Sequence, residues 1–185
     1  MKITKRILCL ALSVMMALGC MSIAAFADDA ASTTKDSSGA IKFSDVGDSE
    51  IYTDAVKTLN LMGVINGYPD GTFKPNDNVT RAEFTAMLMR TLKLGSIGST
   101  SAAELPFSDV DDNNSDINWA IPNINTAYAK GVINGYEDGT FRPSANVAYE
   151  EAVKMIVCTL GYGANVDVST TPWYANFIQI GSQLG

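Results

Sequence analysis

Gly63-Val64-Ile65-Asn66-Gly67-Tyr68-Pro69-Asp70-Gly71-Thr72-Phe73-Lys74-Pro75 returns 68 residues later as Gly131-Val132-Ile133-Asn134-Gly135-Tyr136-Glu137-Asp138-Gly139-Thr140-Phe141-Arg142-Pro143. The same offset carries Phe84, Met87, Leu88, Thr91 and Leu92 onto Ala152, Met155, Ile156, Thr159 and Leu160. Upstream, Phe43-Ser44-Asp45-Val46 returns as Phe107-Ser108-Asp109-Val110 at an offset of 64, so the second copy holds four extra residues before its loop. Self-similarity of this period marks units that cover one another's apolar faces by stacking. Chemistry that needs one unique pocket is not ordinarily written twice.

Within each copy the apolar spacing predicts helix, loop, helix. The first helix of copy one is expected from about Asp54 to Met62, with Ala55, Val56, Leu59 and Met62 on one face and Gly63 as a left-handed stop. Tyr68-Pro69-Asp70-Gly71 fits a type I turn, after which Phe73 returns to the core. Thr80-Arg81-Ala82-Glu83 reads as a capping box that opens the second helix, ended by Gly95. In copy two the equivalents are Trp119 to Lys130, with Pro122 tolerated in the first turn, and Glu150 to Leu160. Ala148-Tyr149-Glu150-Glu151 replaces the capping box there, a loss of about 1 kcal/mol that Asn146 recovers in part if the helix start shifts. Thr171 to Gly185, with Trp173 parallel to Trp119, reads as the opening of a third copy, truncated where its loop should begin.

The first 27 residues read as an export signal: Lys2, Lys5 and Arg6, an apolar run from Ile7 to Leu18, and Ala25-Phe26-Ala27 before Asp28. Leu18-Gly19-Cys20 faintly resembles a lipid-attachment site, but Ala17 stands where Leu is favoured and the apolar run continues to Ala27. Polar residues 28–40 read as a flexible leader and residues 95–104 as a linker, so that the copies occupy 41–94 and 105–161 and the partial third 162–185. Loss of the signal moves the net charge from −7 to −10. Such a balance argues against nucleic acid as a partner, and against a membrane once the signal is cleaved, since both need a cationic footprint. Cys158 is then the lone cysteine, so no internal disulfide forms. The chain has no histidine, the commonest general base and metal ligand. Asp109 to Asp116 has oxygen ligands at alternate positions, but Asn114 stands where a calcium loop needs Gly and no Glu closes it, which favours a solvated acidic loop. No nucleophile with a partner base, phosphate loop or thiolate metal set is present. Neither catalysis, a cofactor nor a metal is expected.

The Phe-Ser-Asp-Val openings, the Gly-Val-Ile-Asn-Gly-Tyr-x-Asp-Gly-Thr-Phe-x-Pro loops and Thr80-Arg81-Ala82-Glu83 resemble the S-layer homology family, the wall-anchoring repeats of bacterial surface proteins. The resemblance covers most of residues 41–161 plus the partial third copy. It implies a mainly α fold of tandem helix-loop-helix repeats in a pseudo-threefold bundle. It also implies location in the cell wall or surface layer, and binding of secondary cell-wall polysaccharide or another peptidoglycan-linked glycan, commonly bearing a pyruvate ketal. Family grooves lie between neighbouring repeats, with the Arg of the Thr-Arg-Ala-Glu motif, here Arg81, on the acidic group.

Physical reasoning supports Arg81 separately. A helix start presents free amides and a partial positive charge, and a guanidinium adds a planar fork for a carboxylate. Thr80 and Glu83 are candidate contacts whose first role is capping. Asp45 or Asp109 either bonds sugar hydroxyls or braces its loop, and Trp119 either packs or stacks on a sugar face. Copy two has Tyr149 where copy one has Arg81, so its own groove is altered, and Lys154, one turn further on, is the nearest replacement charge. Two further readings stay open. In one the chain is a structural subunit associating with other surface-layer subunits. In the other it is the front end of a surface glycan hydrolase.

Overall fold

A computed structural model describes residues 35–94 and 100–184. The export signal with Cys9 and Cys20, the first part of the leader, and Gly95 with the first half of the linker lie outside the described residues. The described chain is mainly helical. Its α-helices are α1 (Thr53–Leu61), α2 (Arg81–Thr91), α3 (Ile121–Ala129), α4 (Tyr149–Thr159) and α5 (Ala175–Leu184). Short 3-10 turns occupy Asn118–Ala120 and Gly163–Asn165. Two isolated antiparallel bridges, Lys35 with Ile41 and Thr80 with Asn146, are the only extended pairings among the described residues. The chain divides into two compact units, one ending at Asn78 and the other beginning at Val79.

In the first unit, Phe43 and Phe73 meet with ring centres 5.7 Å apart, and Val56, Leu59, Val64 and Ile65 are buried with them. Folded structure begins before Ile41. The Asp36 carboxylate accepts the amides of Ser38 and Ala40, Ala40 is fully buried, and the Ile41 amide donates to Asn60 Oδ1. Met62, expected on the inner face of the first helix, is 43% exposed, because it caps α1 after the last inward-facing turn.

In the second unit α2 packs against α3 and α4, and α4 packs against α5. Eight of the eleven residues of α2 are buried, which is why its apolar pattern extends around the helix and is not confined to one stripe. Phe107 joins the core between Tyr128 and Phe141, with ring centres 5.4 and 5.5 Å away. The second half of the linker is packed too. Asp112 accepts the Ser101 hydroxyl and the Ala102 amide, and Asn125 donates to the Ser101 carbonyl. Among the described residues no group of three or more acidic or cysteine side chains is arranged for a metal.

Four helices end alike. After α1 the amides of Gly63 and Val64 return to Asn60 and Leu59, and the same pair of bonds closes α3 at Gly131 and Val132 and α4 at Gly161 and Tyr162. After α2 the left-handed position is Lys93 (φ 59°), with its amide on Arg90 and the Leu94 amide on Met89. The expected stop at Gly95 is therefore superseded two residues earlier. A Cβ at this φ costs about 1–2 kcal/mol, against about 0.5–1 kcal/mol of extra chain entropy for glycine. Lys93→Gly should accordingly raise stability by about 0.5–1 kcal/mol, read as an upward shift of the urea midpoint.

Candidate functional site

The start of α2 is assembled from both copies. Thr80 and Glu83 form the predicted capping box: the Thr80 hydroxyl accepts the Glu83 amide at 3.2 Å, and Glu83 Oε2 accepts the Thr80 amide at 2.8 Å. The next amides are not free. Arg81 N–H donates to the Ala145 carbonyl (2.9 Å), Ala82 N–H to Pro143 (3.0 Å), and Val147 N–H returns to Val79 (2.9 Å). The expectation of open amides awaiting an anion is corrected here, because the chain of copy two already takes them.

Arg81 itself is 6% exposed. Its Nε donates to the Phe141 carbonyl at 2.8 Å, and Nη1 lies 3.2 Å from Glu151 Oε2. The guanidinium carbon sits 4.7 Å from the centre of the Tyr136 ring and 4.9 Å from that of Phe141, within cation–π range of both. Arg81, expected from sequence to grip an acidic ligand group at the helix start, is thus a buried hub for the copy-two loop.

Glu151 is the other half of that hub. The helix start in copy two does not shift to Asn146: α4 begins at Tyr149, and Ala148 holds the cap position without a side-chain oxygen. The surviving half of the box is Glu151 Oε2, which accepts the Ala148 amide at 3.0 Å, while its other oxygen accepts the Tyr136 hydroxyl. Burial disfavours the charged carboxylate, but the Tyr136 hydroxyl, the Ala148 amide and Arg81 outweigh it and hold Glu151 below its ordinary pKa. The Tyr136 phenol is pushed up to about 12, first by burial and then by its bond to Glu151.

The loop carrying Tyr136 is braced by Asp109. Its two carboxylate oxygens accept the amides of Phe141 (2.8 Å) and Arg142 (2.7 Å), which holds Arg142 at φ 58°. Asp45 does the same in the first unit, on Phe73 (2.8 Å) and Lys74 (2.7 Å). Of the alternatives left open for these aspartates, the geometry realises the brace. Arg142 then lies 4.0 Å over Tyr136 and pairs with Asp138 at 2.8 Å. The hydrogen bond from the Thr140 hydroxyl, and then Arg142, bring Asp138 down to about 2.

A groove of about 660 Å³ opens on this cluster, lined among others by Arg81, Tyr136, Arg142, Glu150, Lys154 and Trp173. Trp119 is not among its walls. Its indole N–H donates to the Asp116 carbonyl at 3.0 Å, and the ring is 46% exposed elsewhere on the unit. Trp173, which holds the corresponding place at the opening of the third copy, lines the groove instead, with the Lys154 ammonium 6.0 Å from its ring centre. Tyr136, Glu151 and Trp173 were missed as site residues. The signals were present in the repeat: Trp173 aligns with Trp119, and Lys154 stands where copy one has Ala86.

The sequence profile of the S-layer homology domain matches residues 42–85 and 106–153. A cellulosome-anchoring protein of Acetivibrio thermocellus is 38% identical over 124 residues, covering 66% of this chain and 27% of that protein. An endoglucanase of a Bacillus species is 36% identical over 135 residues, 73% of this chain and 13% of the enzyme. A surface layer protein of Brevibacillus choshinensis is 32% identical over 129 residues, 70% of this chain and 11% of that protein. The match thus spans about a quarter or less of the length of each of these relatives.

Proposed function

The chain belongs to the S-layer homology family through its two repeats, and from that premise we propose that it binds an acidic, pyruvylated secondary cell-wall polysaccharide in the groove beside Arg81. The domain is an anchoring module of bacterial surface proteins, and its place is the cell surface. One observation carries the finer reading. The groove brings Arg81, Arg142 and Lys154 together with Tyr136 and Trp173; of its acidic wall residues, Glu151 is paired with Arg81 and Asp138 with Arg142, while Glu137 and Glu150 also line it. Cations supply the attraction for an acid, and flat aromatic faces suit the apolar face of a sugar ring. Of the groove's acids, Glu151 is engaged by Tyr136 and Arg81, and Asp138 by Arg142 and Thr140.

The relatives favour a second reading for what the anchor carries. The Bacillus endoglucanase shares only 13% of its length with this chain, and an amylopullulanase of Thermoanaerobacterium thermosulfurigenes only 7%. We propose the same division of labour here, with the two repeats holding a larger surface protein to the envelope. Pseudo-threefold completion of the repeats, and association with other surface-layer subunits, belong to this proposal. Co-sedimentation with purified wall polysaccharide tests it: the full chain should pellet with native polymer and stay soluble without it. Retention by peptidoglycan stripped of that polymer, with none by the polymer itself, would move the ligand elsewhere.

A further inference from the structure

The three cations of the groove are not equivalent. Arg81 is held by the Phe141 carbonyl, Glu151 and two aromatic rings. Arg142 is paired with Asp138 and Thr140. Lys154 is half-buried, and among the described residues it has no hydrogen bond and no carboxylate within ion-pair distance. Its charge faces the groove because α4 places it one turn beyond Glu151, on the same side of the helix.

An ammonium withdrawn from water without a counter-ion is disfavoured, and burial, with Arg81 adding repulsion, depresses the Lys154 pKa. Cys158 and Glu151 offset this only in part, and Glu151 is itself committed to Arg81, Tyr136 and the Ala148 amide. A ligand carboxylate would relieve it. Beside it, Trp173 is held edge-on by Tyr174 and Phe177, with ring centres 5.5 and 6.3 Å away, and remains 41% exposed. A cation next to a fixed, accessible indole is a two-part receptor: one part for an acid, one for the apolar face of the ring that bears it.

Building on the anchoring reading above, we infer that Lys154, with Trp173 beside it, determines selectivity for a carboxylate-bearing sugar, while Arg81 acts as a positioning residue that shapes the groove. The carboxylate sits on the Lys154 ammonium and the sugar face on Trp173. Neutral glycans gain the stacking alone.

Calorimetric titration of the full chain with purified secondary cell-wall polysaccharide tests this, using the native polymer and the same polymer with its carboxyls reduced to alcohols. The unmodified protein should bind native polymer at least tenfold more tightly than reduced polymer. Lys154→Met should lose that factor on native polymer and nothing further on reduced polymer, and Lys154→Arg should keep most of it. Circular dichroism of each variant confirms that the helices are retained. Undiminished binding of native polymer by Lys154→Met, or an equal loss on both polymers, would overturn the role of Lys154 and leave anchoring intact. Equal affinity of the unmodified protein for the two polymers would overturn carboxylate selectivity. Failure of the unmodified protein to bind native polymer would overturn the anchoring reading itself.

Discussion

Arg81→Ala is expected to destabilise the unit from Val79 onward by about 3–5 kcal/mol, the range for removing one partner of a buried ion pair. Three losses combine. The Phe141 carbonyl loses its donor, Glu151 loses its countercharge at 16% exposure, and Tyr136 and Phe141 lose the plane stacked on them. Glu151 keeps the Ala148 amide and the Tyr136 hydroxyl, which places the effect toward the lower end of that range. Arg81→Lys restores charge without the fork and should recover only part. Urea unfolding at neutral pH measures both. Acid provides a further check. Because the folded-state pKa of Glu151 lies below its ordinary value, its stabilisation is full above the ordinary glutamate range and is lost as pH falls through the folded value. The Arg81→Ala protein should therefore lose less stability on acidification. Weaker wall retention by Arg81→Ala follows from the damaged fold alone, so it does not identify a ligand contact; Lys154→Met does.

The second large effect is expected from Gly135→Ala. A Cβ at this position would lie 2.5 Å from Phe107 Cε1 and 2.9 Å from the Thr140 carbonyl oxygen, at φ 77°. The left-handed conformation costs a side chain about 1–2 kcal/mol, and overpacking against a ring and a backbone oxygen adds about 1–3 kcal/mol. A total of about 2–5 kcal/mol is expected from the shift in urea midpoint. Gly139→Ala serves as the control. It has nearly the same φ, 76°, with nothing within 4 Å of the added carbon, so only the conformational part should appear. Equal losses at the two positions would show that the approach of Phe107 contributes nothing.

Much of the helical plan was legible in the residues. Thr80 and Glu83 encode a helix start because each satisfies the other's orphan amide, and Gly63 and Gly131 encode stops through their φ. These are local effects, decided within four residues. Lys93 was not legible, because its left-handed turn is imposed by Leu94 returning to Met89 and not by any preference of lysine. The groove was legible only in part. Arg81 was recognised, but its partners stand 55 to 70 residues away and no local pattern announces them. An isolated α2 would offer its first amides to an anion, but here the Ala145 and Pro143 carbonyls take those of Arg81 and Ala82. Trp119 was the aromatic expected from the repeat after Arg81; the Lys154–Trp173 neighbourhood comes from the packing of α4 on α5.

The pairing of Thr80 with Asn146, and the passage of the amides of Arg81 and Ala82 to copy two, also bear on how such a protein can be cut. The written repeat and the folding block are out of phase by one helix. Excision at the linker would strip the later block of a central helix and leave α2 dangling from the earlier one. A transplantable cassette is better opened just ahead of Val79, so that the donor of the guanidinium travels with its lock.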